Sequence, residues 1–169
     1  PQQSLWRARH KLNFEATAKM EQAAVLAADL IASWHYDRGM AAGSISEFLS
    51  ASNYYQILND YAPNVEKSNT WRLRRAHCHY FSGKYEKASE LYSDLKHRYK
   101  VDAETLEVAS YQLVLSNEKK WRESFAQTRE QGDAPQSDDG TVKSLDELET
   151  SVDEFASRFP SQGRSVDLM

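Results

Sequence analysis

Apolar residues along this 169-residue chain recur at steps of three and four, and nowhere alternate for more than a few positions. That period belongs to helices that bury one face. A first helix is expected from Ser4, carrying Leu5, Trp6, Ala8 and Leu12, with Asn13 as a weak break. Between Phe14 and Tyr36, the residues Phe14, Met20, Ala23, Ala24, Ala27, Leu30, Ile31 and Trp34 form a broad apolar face, the mark of a helix touched on two sides. Asp37-Arg38-Gly39 and Gly43-Ser44 then punctuate the chain. A helix is predicted from Ser46 to Tyr61, stopped by Ala62-Pro63-Asn64, because proline cannot continue a helix and restricts the residue before it. Ser68 or Asn69 is the expected cap of a helix reaching Phe81; Gly83 turns the chain, and Lys84 to Tyr99 is the next helix. Asp102 should cap a helix through Leu115, with a turn at Ser116-Asn117 and a weaker helix from Lys119 to about Glu130. Residues 131–143 read as a polar loop. Ser144 to Phe159 forms a last helix with a capping box at Ser144 and Glu147, a single stripe of Leu145, Leu148, Val152, Phe155 and Phe159, and a stop at Pro160.

The pattern repeats itself. Phe48, Ala51, Tyr55 and Leu58 share their spacing with Tyr85, Ala88, Tyr92 and Leu95, 37 residues later. On a helix these four positions lie on one face, where a small alanine admits a neighbouring helix and the aromatics fill the space beside it. A second echo relates Ala76 and Tyr80 to Ser110 and Val114, 34 residues on. Periods of this size mark helical hairpins that cannot bury their faces alone and stack on one another.

At these residues the chain resembles the tetratricopeptide repeat family. The best unit runs from Thr70 to Tyr99: Ala76 stands at the family's small position, and Tyr80, Gly83, Tyr85, Ala88, Tyr92 and Leu95 follow its pattern in order. Pro63 matches the proline after a second helix. Trp71 stands one position from the family's tryptophan, and Thr128 occupies an aromatic position. The resemblance implies an all-α fold of about three antiparallel helical hairpins stacked as a solenoid, with the C-terminal helix capping it or docked in a groove. Residues 1–130 would be the repeat domain, 131–143 a polar loop, and 144–169 an acidic amphipathic helix and tail. It also implies a protein–protein interaction scaffold or adaptor, a subunit or fragment of a larger assembly, that takes a partner peptide or helix in a concave groove lined by the first helix of each pair. Arg74, His77, Ser110 and Tyr111 would line that groove. The family's carboxylate clamp does not transfer, because Glu104 and Val108 stand where further Asn or Lys/Arg would be needed.

Composition narrows the class. Apolar residues make up 40% and charged residues 27%, which suits a globular chain; 6 Gly and 4 Pro are too few for a fold rich in tight turns. No apolar run approaches the roughly 18 residues of a membrane span. The N-terminal segment shows no apolar h-region, and a single cysteine permits no internal disulfide, so a cytoplasmic or nuclear setting is expected. The net charge of −4 is unevenly spread. Residues 66–100 carry nine Lys/Arg against four Asp/Glu, whereas residues 130–169 carry three against ten. A basic middle and an acidic end suit two partners or one internal contact.

Candidate chemistry is sparse. Neighbouring residues on a helix point about 100° apart, so His77, Cys78 and His79 cannot converge on one ion. No phosphate loop or nucleophile turn is present, so no catalytic residue, metal or cofactor is expected. The acidic pairs Asp138-Asp139 and Asp146-Glu147 read as solvated and capping charges. Arg72, Arg75, Lys96 and Arg98 offer an alternative site for nucleic-acid phosphates, with Trp71 or Tyr99 to stack on bases. Glu86, Glu90 and Asp94 interrupt that stripe, so a protein or acidic peptide is the favoured partner over nucleic acid.

Overall fold

The computed structural model describes residues 2–130 and 139–160, with side chains from residue 13 onward. Among these residues it contains six helices and no strand: α1 (Gln2–Ala42), α2 (Ile45–Tyr61), α3 (Ser68–Phe81), α4 (Tyr85–Arg98), α5 (Ala103–Glu130) and α6 (Asp139–Arg158). Consecutive helices pack as antiparallel pairs, α1 with α2, α3 with α4 and α5 with α6, and each pair packs on the next. No helix among the described residues is long and apolar enough to cross a membrane.

Two turns share one device. Gly43 (φ 61°) and Gly83 (φ 71°) sit in the left-handed region that favours glycine. The amide after each donates to the carbonyl five residues back, Ser44 to Gly39 (3.2 Å) and Lys84 to His79 (2.9 Å), which closes the helix end. The helix starts differ. Ser44, not Ser46, caps α2 by accepting from the Glu47 amide. Asp102 caps α5, accepting from the Thr105 amide (2.7 Å) and hydroxyl (2.8 Å). Ser68 is already helical and its hydroxyl instead accepts from Arg72 (2.9 Å).

The two matching quartets, apart from the half-buried Tyr85, lie in the core. Ala51, Tyr55, Ala88, Tyr92 and Leu95 are fully buried, and Leu58 nearly so. One cluster joins α1, α2 and α3 through Ala32, Phe48, Ala51, Tyr55, Leu58, Trp71 and Cys78. The other joins α3, α4 and α5 through Ala76, Ala88, Tyr92, Leu95, Ala109 and Leu113. Helix α3 feeds both, with Trp71 and Cys78 on one side and Ala76 on the other. The first pair thus stacks on α3, and the third pair stacks on α4.

Three expected breaks are absent. Asn13 does not interrupt α1, and Asp37-Arg38-Gly39 lies within its last two turns. Gly39 is tolerated there because the Phe48 ring lies where a side chain would go. Ser116-Asn117 lies inside α5. Both residues are buried: the Ser116 hydroxyl donates to Gln112 O (2.8 Å), and Asn117 bridges Ser89 of α4 and the Glu147 carbonyl of α6. The third hairpin is therefore α5 with α6, so the C-terminal helix is its second arm. Residues 139–143, expected in the loop, form the first turn of α6, and Ser144 is buried within it with its hydroxyl donating to Thr141 O (2.9 Å). Residues 131–138 and the tail from 161 lie outside the described residues.

Candidate functional site

Arg74 and His77 stand one turn apart on α3 and face α1 and α2. The Arg74 guanidinium donates to the Ser33 hydroxyl (3.0 Å) and the Tyr55 hydroxyl (3.2 Å), and lies 5.4 Å from the centre of the Tyr36 ring. His77 Nδ1 meets the Tyr36 hydroxyl at 3.3 Å, and its ring sits beside Phe81 and Tyr92. Burial, and then the Arg74 charge, pushes His77 down to about 4, so it is neutral at physiological pH. These two expected groove residues thus bind α1 to α3. Ser110 is buried, and its hydroxyl donates to the Leu106 carbonyl (2.7 Å) within its own helix. Tyr111 is exposed, with its ring 5.9 Å from Phe155 of α6. Among the described residues no hydrogen bond or ring contact joins Ser110 or Tyr111 to Arg74 or His77.

The neighbouring side chains diverge. Cys78 is buried between the helices, and burial raises its thiol to about 12, which keeps it protonated. His79 points instead to Ser52 of α2 (3.0 Å).

The basic set splits in two. Lys96 is almost wholly covered, and its ammonium pairs with Glu154 of α6. Arg98 pairs with Asp94 on its own helix (3.0 Å). Nearby, Lys120 bridges Glu86 (2.8 Å) and Glu147 (2.6 Å). The acidic last helix therefore meets the basic middle of the same chain.

Arg72 and Arg75 remain together, in a cleft of about 550 Å³ between the end of α2, the first half of α3 and the end of α4. Tyr99 and Lys100 close one side and Asn59 and Asp60 the other. Arg72 is held firmly. It donates to Ser68 and Asn69 (both 2.9 Å) and to the Pro63 carbonyl (3.0 Å), and stacks 4.0 Å over Tyr99. Asn69 in turn donates to the Lys100 carbonyl (2.8 Å), which fixes the far wall. Arg75 makes one hydrogen bond, to Gln56 (3.1 Å), and its Nε has no partner. Both amide atoms of Asn59 are shielded and also without partners. A polar atom left so costs about 1–3 kcal/mol.

Asn59 was not marked by the sequence. Its only signal is its place beside Leu58, the last position of the repeated quartet, where the apolar face ends. Its amide offers a donor and an acceptor in one plane, the complement of a peptide group. The Nε edge of Arg75 is a ready partner for a carboxylate. Compared with protein-family models, curated proteins and solved structures, the chain matches none.

Proposed function

We propose that this chain is a protein–protein interaction module of the tetratricopeptide type, a scaffold or adaptor within a larger assembly, and that an extended acidic peptide enters the cleft between α2, α3 and α4. The unsatisfied Asn59 amide beside the unpaired Nε of Arg75 carries this reading. Rotation of these side chains toward the cleft lets Asn59 pair with a peptide group and Arg75 with an aspartate or glutamate. Arg72, already stacked on Tyr99, supplies a fixed positive wall. The repeat spacing of the two quartets and the hairpin stacking support the scaffold part of the reading.

Selection from a random peptide library tests it. Recovered peptides should be enriched in Asp or Glu, and Arg75→Glu should weaken a recovered peptide at least about tenfold, the loss of one charge-assisted contact, without lowering the melting temperature. No acidic enrichment, or affinity indifferent to Arg75 and Asn59, refutes the assignment. Lys96 and Arg98, half of the basic set that a nucleic acid would use, are already paired with Glu154 and Asp94, which disfavours nucleic acid as the occupant of the cleft. A labelled RNA oligonucleotide that binds at low salt and loses affinity on Arg75→Glu would replace the peptide reading.

A further inference from the structure

Helix α1 is apolar on two opposite faces. One face, Val25, Ala28, Ala32 and Tyr36, packs into the core. On the other stand Ala16, Met20, Ala23, Ala27, Leu30 and Trp34, at steps of 4, 3, 4, 3 and 4, the spacing of a coiled-coil seam. All six are exposed: Met20 and Leu30 at 73% and Trp34 at 53%. Leu30 and Trp34 border an open apolar hollow of about 640 Å³. The helix also outruns its support. At ~1.5 Å per residue its 41 residues span about 60 Å, against about 25 Å for the 17 of α2. Residues 13–24 are exposed on every side. A helix that projects this far gains little from its own hydrogen bonds and needs a surface to lie on.

We propose that this surface is a second copy of the same chain, with the two α1 helices antiparallel about a two-fold axis. The stripe is self-complementary only in that direction. With the axis midway between Ala27 and Leu30, Trp34 of each copy covers Ala23 of the other and Leu30 covers Ala27. A parallel pair would set Trp34 on Trp34 and alanine on alanine. Charge selects the same register. Lys19 and Asp37 lie on one edge of the stripe, five turns apart, and their midpoint falls within a residue of that axis. Both are exposed, and neither makes an ion pair within the chain among the described residues. In the antiparallel pair Lys19 of each copy faces Asp37 of the other. The free part of each helix, residues 16–23, then rests on the braced part, 34–41, of its partner. The contact is one helix wide and about 30 Å long, at the small end of specific interfaces, so the dimer is concentration-dependent.

Sedimentation equilibrium of the full chain over about 1–200 µM, a range chosen for a small interface, tests this. The mass should rise from 19.4 kDa toward twice that value. Ala27→Glu places a carboxylate at the axis and should hold the chain monomeric with its helical circular dichroism intact. Lys19→Asp alone and Asp37→Lys alone should each weaken the dimer about threefold to tenfold at low salt, and the double exchange should restore it. A monomer at every concentration overturns the proposal, and so does a dimer indifferent to Ala27→Glu. Failure of the double exchange to rescue overturns the antiparallel register. A heterologous protein or a preceding segment of a longer chain on this face would show as that monomeric result.

Discussion

Replacing Gly39 with alanine separates two forces of opposite sign. Gly39 lies in the last turn of α1 with ordinary helical backbone, so helix propensity alone favours alanine by about 1 kcal/mol. For a chain of this size that gain would raise the melting temperature by about 2–4 °C. Packing opposes it. A Cβ at residue 39 would lie 2.8 Å from both Cδ1 and Cε1 of Phe48 and 3.1 Å from its Cγ. The ring has little room to yield, because Phe48 is 3% exposed, stacked on Phe81 at 5.2 Å and met edge-on by Tyr36 at 6.2 Å. Overpacking of this kind costs about 1–3 kcal/mol, which exceeds the propensity gain over most of that range. Gly39→Ala should therefore lower stability by up to about 2 kcal/mol in urea unfolding followed by far-UV circular dichroism. In a Phe48→Leu background the clash is relieved, and the same substitution should become neutral or stabilising, a coupling of about 1–3 kcal/mol. A rise in melting temperature for Gly39→Ala alone, or the same effect in both backgrounds, would refute the claim that Phe48 holds this position open.

Three further outcomes follow from the packing. Ala51→Phe and Ala88→Phe, each at a fully buried helix contact, should each cost about 1–3 kcal/mol of unfolding free energy, and a neutral result at both would remove the basis of the hairpin packing. Lys96→Glu should raise hydrogen exchange across α6 while the Trp71 core keeps its protection, and adding Glu154→Lys should restore α6; unchanged exchange would show that this pair does not hold the helix. Acid should destabilise the domain in two windows. His77 is pushed below its usual 6.5 to about 4, so between those values the unfolded chain binds the proton better, stability is full above 6.5 and falls as pH falls, by about 2 kcal/mol at pH 5 from this residue. The Lys96 hydrogen bond holds Glu154 below its usual value, so its contribution is present at neutral pH and lost only at still lower pH, as the carboxylate protonates. A flat stability between pH 7 and pH 5, compared with a His77→Gln variant, would contradict the burial of a neutral imidazole.

The core was legible because it depends on local spacing. The quartets Phe48–Leu58 and Tyr85–Leu95 carry the same small and aromatic positions, and all but Tyr85, which is half-buried, are buried. Gly83 was legible as a turn for the same reason: its residue type and its backbone conformation agree. Ser116-Asn117 misled because a polar pair signals a turn only when its side chains have nothing better to bond. Here Asn117 reaches Ser89 and the Glu147 carbonyl, partners 28 and 30 residues away, and the backbone stays helical. Ser144 misled likewise, since the start of α6 lies five residues before it. Small polar residues of α6, among them Thr141, Ser144 and Ser151, are buried beside the expected apolar stripe, and of that stripe Phe155 alone is buried while Leu145 stays exposed.

One such boundary bears on the surroundings of Arg74 and His77. Because α1 continues to Ala42, Tyr36 is held one and a half turns inside a rigid element, where its ring covers Arg74 and its hydroxyl meets His77. Ser33, a turn earlier, accepts a hydrogen bond from the same guanidinium. Gly39 permits that continuation by leaving room for Phe48. A glycine that reads as punctuation in the sequence thus extends the helix, and the extension sets Ser33 and Tyr36 against Arg74 and His77. The cleft at Asn59 and Arg75, on the other side of α3 and beyond the reach of α1, is left open.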